Sequence, residues 1–376
     1  MAMKDDKRMK VCFVSAFAYP LFNPDFKEAF GGGGAELQIS LIAKELAKDD
    51  DWQVNLVVLD WGQPKIETRD GVILHAAYKR GRSLANLAKA VFGLFSTLIR
   101  ISPDIVVCRA AGVEVGISAV YARLLGKKMV YSLAATMDLN GEAFKGLRGK
   151  IFRLGLFWSH ALIAQTKDQI DMLGRYKALA KKPVALIKNS YSLSERTSEV
   201  ERRFVLWVGR CSPEKRPELF LDLAQSFPGE KFVMIAPKNK PRLWEEISSR
   251  AGKMENLEFI EKVPFKDIGP YFRQAKVLVN TSTSEGFPNT FLQAAENGAA
   301  ILSLSADPDG FLNARQAGIA CGGDTAKLEA SLRELLKDEG KRSSLAANSL
   351  AYLRTEHDIE KNIEEWKGFL SKTIFK

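Results

Sequence analysis

The sequence predicts an α/β protein built of two doubly wound, Rossmann-like domains. Three observations carry that expectation. Short apolar runs of strand length alternate with helix-period stretches along nearly the whole chain, which is the pattern of parallel sheets covered by helices on both faces. The 376 residues suit two domains of ordinary size. Near the middle, residues 189–202 (NSYSLSERTSEVER) turn abruptly polar and charged, as a linker does. A hydrophobic content of 46% supports sizeable cores and excludes wholesale disorder.

In the first half, strands are expected at Val11–Ala16, Val54–Leu59, Val72–Ala76, Ile105–Cys108, Met129–Leu133, Ala161–Ala164 and Val184–Ile187. A glycine run, 31–34, precedes a helix over about 35–47, and an amphipathic helix is expected over 83–101. In the second half, strands are expected at Phe204–Val208, Phe232–Ile235, Leu257–Ile260, Val277–Asn280 and Ala300–Leu304. Helices follow over about 326–336 and 341–353, and an amphipathic helix over about 359–372 ends the chain. The expected division is 1–190, a linker at 191–202, a second domain at 203–356 and a terminal segment at 357–376. No repeat of 20–50 residues appears.

The net charge of +10 is unevenly placed: residues 1–195 hold 28 Lys+Arg against 19 Asp+Glu, and 196–376 hold 27 against 26. The first half therefore suits an anionic partner, such as a membrane surface, a lipid-linked phosphate or a nucleic acid, with general solubility as the competing reading. Basic segments around Lys79–Arg82 and Lys145–Arg153 lead into apolar stretches. A core face beneath solvated cations is the favoured reading of these, and peripheral contact with an anionic membrane surface is the alternative. The longest apolar run, Leu84–Ile99, is short of the ~20 residues of a membrane span and carries Lys89. Cys12, Cys108, Cys211 and Cys321 lie far apart, which suggests a reducing, cytoplasmic setting and no disulfide framework. With three His, none at ligand spacing from Cys, no zinc site is expected. The opening MAMKDDKRMK followed by VCFVSAFAYPLF mimics a secretory signal, but Asp5, Asp6 and Pro20 speak for a first buried strand.

Four groups are candidates for chemistry. The Gly31–Gly34 run between a strand and a helix start allows close backbone approach to a phosphate or sugar, with Gly33 and Gly34 nearest the helix. It is neither a G-x-G-x-x-G fingerprint nor a P-loop, and a floppy loop is an equal reading. Glu36 and Gln38 read as helix-surface residues. Gly209, Arg210 and Lys215 follow the strand Phe204–Val208, at the carboxyl end of the sheet where α/β proteins place ligands. Thr281–Gly298 (TSTSEGFPNTFLQAAENG) reads as a tight turn after a buried strand, entering a helix near Asn289. That arrangement offers backbone N–H groups to an anion; Glu285 points in from the turn, and Gln293 lies about two helical turns on. Finally, Asp307-Pro308-Asp309 is read as a turn rather than a metal-binding pair, and Asp138 either caps a helix or orients a hydroxyl.

The segment EGFPNTFLQ, Glu285–Gln293, resembles the E-x(7)-E segment of retaining GT-B glycosyltransferases of family 4. VGRCSPEKRPELFLDLA is similar to the V-G-R-x(4)-K segment of that family, and AYPLFNP…GGGGAELQ resembles the opening of its cell-surface polysaccharide branch. The resemblance spans nearly the whole chain and is specific at 17–38, 204–225 and 280–310. It implies a GT-B architecture of two domains facing a cleft, with a terminal helix crossing back to the first. It implies that Arg210 and Lys215 grip the diphosphate of a UDP- or GDP-linked sugar and that Glu285 contacts the donor sugar. Backbone at Phe287, Pro288, Asn289 and Thr290 supports the donor. Gln293 replaces the usual second Glu; it can still hydrogen-bond a ribose hydroxyl, without charge. Fixed cations that meet the charge developing on the leaving diphosphate lower the barrier without a metal, so no cofactor or metal is expected. Many members carry a His near the bond being broken; this chain has Asp138 in that region instead. The acceptor implied is a glycan or a lipid-linked saccharide, and nucleic acid is not an expected partner. Two other readings stay open: a nucleotide-sugar epimerase on the same fold, and a non-catalytic relic that binds a nucleotide or glycan.

Overall fold

The computed structural model describes residues 8–26, 32–81, 83–139, 141–193 and 200–375. The chain divides into two compact units, one of residues 1–190 with 359–376 and one of residues 191–358. Gly31 and residues 194–199 of the polar stretch lie outside the described residues.

The first unit runs β1 (Met9–Val14), α1 (Gly34–Leu46), β2 (Trp52–Leu59), β3 (Ile66–Arg69), β4 (Val72–Tyr78), α2 (Leu84–Ile101), β5 (Ile105–Arg109) and α3 (Val113–Leu124). It continues through β6 (Lys128–Ser132), α4 (Gly146–Trp158), β7 (Ala161–Ala164), α5 (Lys167–Gly174) and β8 (Val184–Leu186). The sheet order is β3-β4-β2-β1-β5-β6-β7-β8. All pairings are parallel except β3 with β4. The expectation of purely parallel strands is corrected by β3, an edge strand that closes a hairpin through Asp70-Gly71, both at positive φ.

Alternate residues of a strand point to opposite faces, and here both faces are buried. On β1, Val11 and Phe13 enter a core with α1, while Cys12 and Val14 enter a second core with α2, α3 and α4. This explains why the strands read as unbroken apolar runs. α2 runs 18 residues, with Ser83 as its N-cap accepting from the Asn86 N–H, and by length and composition it is apolar enough to cross a membrane. Its inner side, Ala90, Leu94, Thr97 and Leu98, is nevertheless part of the folded core of the unit.

Burial on β4 also sets a pH response. His75 is buried and its Nε2 donates to Asn55 Oδ1 at 3.0 Å. Burial, helped by the charge of Arg100, pushes its pKa down from 6.5 to about 4. The folded state therefore binds fewer protons than the unfolded state between those values, so stability present above pH 6.5 is lost as the pH falls towards 4. The melting temperature should fall across that window in wild type, and the fall should be visibly shallower in His75→Gln.

The second unit runs β9 (Phe204–Val208), α6 (Pro217–Ser226), β10 (Lys231–Ile235), α7 (Pro241–Ala251), β11 (Leu257–Ile260), α8 (Gly269–Gln274) and β12 (Ala275–Asn280). Then come α9 (Asn289–Asn297), β13 (Ala300–Ser303), α10 (Phe311–Ala314), β14 (Ile319–Ala320), α11 (Thr325–Lys337) and α12 (Glu339–Glu356). Its six strands are all parallel, in the order β11-β10-β9-β12-β13-β14. The chain fills one side of β9 first and then crosses to place β12 on the other. The carboxyl ends of β9 and β12 therefore flank the switch point, where an open α/β sheet leaves a crevice.

The last helix, α13 (Ile359–Ile374), belongs to the first unit. Ile363, Trp366 and Leu370 project from it into the core around β1 and α1, with the Trp366 ring 6.4 Å from that of Phe13. Asn362 Nδ2 donates to the carbonyls of Lys188 and Asn189. Lys367 pairs with Asp49 at 2.7 Å.

Candidate active site

Two loops meet at the switch point of the second unit. One, residues 209–216, leaves β9; the other, residues 281–288, leaves β12 and enters α9. They are joined by hydrogen bonds that name most of the site. The Thr283 N–H donates to the Glu214 carbonyl at 2.9 Å, and Thr281 Oγ1 donates to the Lys215 carbonyl at 2.6 Å. Thr281 Oγ1 in turn accepts from Trp207 Nε1 at 2.9 Å, so a core indole on β9 fixes the hydroxyl that fixes the lysine backbone. The Lys215 ammonium forms a hydrogen-bonded ion pair with Glu285 Oε1, which also accepts from Ser282 Oγ at 2.6 Å. Both charged side chains are mostly buried, at 22% and 13% exposure. A pair so desolvated attracts far more strongly than one in water, and it aligns the two groups before any ligand arrives.

Gly209 serves this arrangement by being small. A Cβ there would stand 3.0 Å from the Trp207 ring and crowd the indole that anchors Thr281. Arg210, next in the loop, is exposed, and among the described residues it makes no hydrogen bond or ion pair. The structure thus brings Lys215 and Glu285 into contact and leaves Arg210 on the same loop with its charge uncommitted.

α9 begins at Asn289, with Pro288 as an N-cap whose side chain caps nothing. The positive end of the helix dipole is therefore not offset by a capping side chain, which suits an anion. Phe287 is buried among Phe311, His357 and Tyr352, with centroids at 5.2, 4.3 and 6.3 Å, so it can serve a ligand only through its backbone. Thr290 and Asn289 are half-buried, and Gln293, on the same helix, is 5% exposed. Asp307 is occupied by the backbone, accepting from the Leu312 N–H at 2.7 Å, and Pro308–Gly310 winds into a short 3-10 helix. Among the described residues no group of three His, Cys, Asp or Glu is arranged to hold a metal.

In the first unit, Gly33 is the N-cap of α1 and its N–H donates to Glu36 Oε2 at 2.7 Å. Glu36 is thus a capping residue. Gln38 is fully buried, donating to the Ser190 carbonyl at 2.9 Å and accepting from the Ser190 N–H at 2.7 Å. Both correct the helix-surface reading. Asp138 is also buried: its Oδ2 accepts from Tyr131 Oη at 2.9 Å, the Ala134 N–H at 2.8 Å and the Ala135 N–H at 3.3 Å. Burial raises its pKa despite those donors. Its Oδ2 holds its own loop, which favours the capping side of the two readings over that of a group orienting a hydroxyl.

The sequence reading missed three residues here. Trp207 reads as an ordinary residue of the strand Phe204–Val208 and Thr281 as the start of the turn after the next strand, yet they carry the relay to Lys215. Arg109, at the carboxyl end of β5, donates to Ser132 Oγ at 3.1 Å and Asn189 Oδ1 at 2.7 Å. Burial pulls its pKa down to about 10, with Asp138, Tyr131 and Glu36 acting in the opposite sense. A lone Arg closing an apolar strand was the available signal. Replacing Thr281 by Val should lower turnover about 10-fold, some 1.4 kcal/mol, because it cuts the relay without touching a charge. Steady-state assays should show Thr281→Ser restoring most of it; an equal loss in both variants would contradict the relay.

Residues 202–338 match the sequence family described as Glycosyl transferases group 1. The matched stretch lies within the second unit. A sequence search of curated proteins found no match to the chain. Among solved structures, the chain is similar to a sucrose-phosphate synthase from Thermosynechococcus elongatus, with a TM-score of 0.78 at 15% identity, covering 98% of this chain and 99% of that one. It is similar to WaaG, a glycosyltransferase involved in lipopolysaccharide biosynthesis, with a TM-score of 0.71 at 16% identity, covering 94% and 98%. It also resembles a Listeria monocytogenes protein provisionally described as a UDP-N-acetylglucosamine 2-epimerase, with a TM-score of 0.63 at 13% identity, covering 95% and 94%. Likeness at these identities establishes a GT-B fold and leaves the reaction to the site.

Proposed function

We propose that the chain is a retaining glycosyltransferase that moves a hexose-type sugar from a UDP- or GDP-linked donor to a glycan or lipid-linked acceptor, without a metal ion. The observation that carries the reading is the Lys215–Glu285 pair at the switch point of a group 1 glycosyltransferase domain, directly beside the start of α9. A cation and a helix amino end suit the diphosphate; a carboxylate beside them suits the hydroxyls of the sugar it carries.

In this reading Lys215 and Arg210 receive the diphosphate, with α9 adding its dipole at Pro288–Thr290. Glu285, held by Lys215 and Ser282, accepts hydrogen bonds from the donor sugar. Gln293 reaches the ribose. As the sugar–phosphate bond lengthens, negative charge grows on the leaving diphosphate, and fixed cations stabilise that state more than the ground state. The same diphosphate takes the acceptor's proton on the face it leaves, so configuration is retained.

The test is transfer or hydrolysis measured over a panel of UDP- and GDP-sugars, chosen first by thermal shift. At least one donor should be turned over, with full activity in excess EDTA. Epimerised donor without transfer would establish the epimerase reading, binding without turnover the relic reading, and loss of activity in EDTA would refute the metal-free clamp.

A further inference from the structure

We infer that the outer side of α2, with the basic groove beside it, is a docking surface for an anionic lipid bilayer. While one side of this helix is built into the core, the other is apolar and faces water. Leu84 is 74% exposed, Phe92 77% and Ile99 52%. They lie eight and seven residues apart, close to two helical turns each, so they form one stripe along the helix. The helix holds no acidic residue, and its mean hydropathy is 1.4. An isolated exposed Leu or Phe needs no explanation, but an ordered stripe on an otherwise core-packed helix does.

A groove of about 750 Å³ opens against the same helix, between it and β4, and Phe92 forms part of its wall. Lys65, Lys79, Arg80, Lys89 and Arg100 line it, against a single acid, Asp60. That acid is already paired with Lys65 at 2.6 Å. Lys79, Lys89 and Arg100 make no salt bridge among the described residues. Cations and large apolar side chains thus share one rim. The pairing matches the two layers of an anionic interface, with phosphate headgroups for the cations and acyl chains for Leu84 and Phe92. A second copy of the chain fits poorly, because a symmetric contact would set the same cations against each other. The inference stands apart from the sugar-transfer reading, since it uses none of the residues of that site.

The test is co-sedimentation of the full chain with phosphatidylcholine vesicles, with and without about a third of phosphatidylglycerol, at about 0.1 M and 0.5 M salt. Wild type should bind the anionic vesicles at least ~10-fold better than the neutral ones, and less at high salt. Leu84→Ser with Phe92→Ser, and separately Lys89→Glu with Arg100→Glu, should each weaken binding at least ~10-fold at unchanged melting temperature. Three results would overturn the proposal: no binding to either vesicle, equal binding by wild type and both variants, or a dimer in solution that Leu84→Ser with Phe92→Ser dissolves.

Discussion

Replacing Lys215 by Ala is expected to cut turnover of the donor sugar by about 1,000-fold, near 4 kcal/mol of transition-state stabilisation. Two losses combine in this variant. The charge that meets the leaving diphosphate disappears, and Glu285, still largely buried and still accepting from Ser282, loses the cation it is paired with. A buried charge deprived of its partner costs more than the pair was worth, so the carboxylate should also lose its alignment towards the sugar. The fall should appear mainly in kcat, because the charge it answers develops on the way to the transition state. Arg210→Ala should cost at least ~100-fold, about 2.7 kcal/mol, and with little change in stability, since Arg210 is exposed and makes no ion pair among the described residues. Steady-state kinetics on both variants checks the assignment; wild-type turnover in either would mean that the cation named is not the one in use.

The second large effect is on stability. Trp366 on α13 is 2% exposed and sits among the strands and α1 of the first unit, against Phe13. Truncation to Ala leaves a cavity that the parallel sheet beneath cannot collapse to fill, and the expected loss is about 3–5 kcal/mol. It should be read on the unfolding transition of the first unit alone, because a chain of two units need not unfold in one step. A loss below ~1 kcal/mol would show that α13 is only loosely held there.

Much of this fold is legible in the sequence because its strands are buried on both faces. Val11–Val14, Val205–Val208 and Val277–Asn280 stand out as apolar runs for that reason alone. Ile66–Arg69 does not, since an antiparallel edge strand with Ile66 half exposed carries only polar neighbours. Ile319–Ala320 is too short to carry a pattern. The site shows the same division. Lys215 and Glu285 are conspicuous as charges at the ends of apolar runs. Trp207 looks like an ordinary strand residue and Thr281 like an ordinary turn residue, because what makes them matter is a contact across 74 positions of chain. Gln38 and Glu36 read as surface since helical spacing alone does not reveal the Ser190 backbone or the exposed N–H of Gly33 that they satisfy. Asp138 allows two readings from sequence, a local cap or a group for a hydroxyl, and only the backbone N–H groups that its Oδ2 accepts from tip the balance towards the first.

The central claim is that Lys215 and Arg210 hold the diphosphate of the donor. It is tested most directly by comparing the affinities of a nucleoside diphosphate and the matching monophosphate, UDP with UMP and GDP with GMP, for wild type and for Arg210→Ala with Lys215→Ala. Wild type should prefer the diphosphate by at least ~10-fold, and that preference should vanish in the double variant while the monophosphate affinity barely moves. A diphosphate preference that survives the loss of both cations would contradict the account.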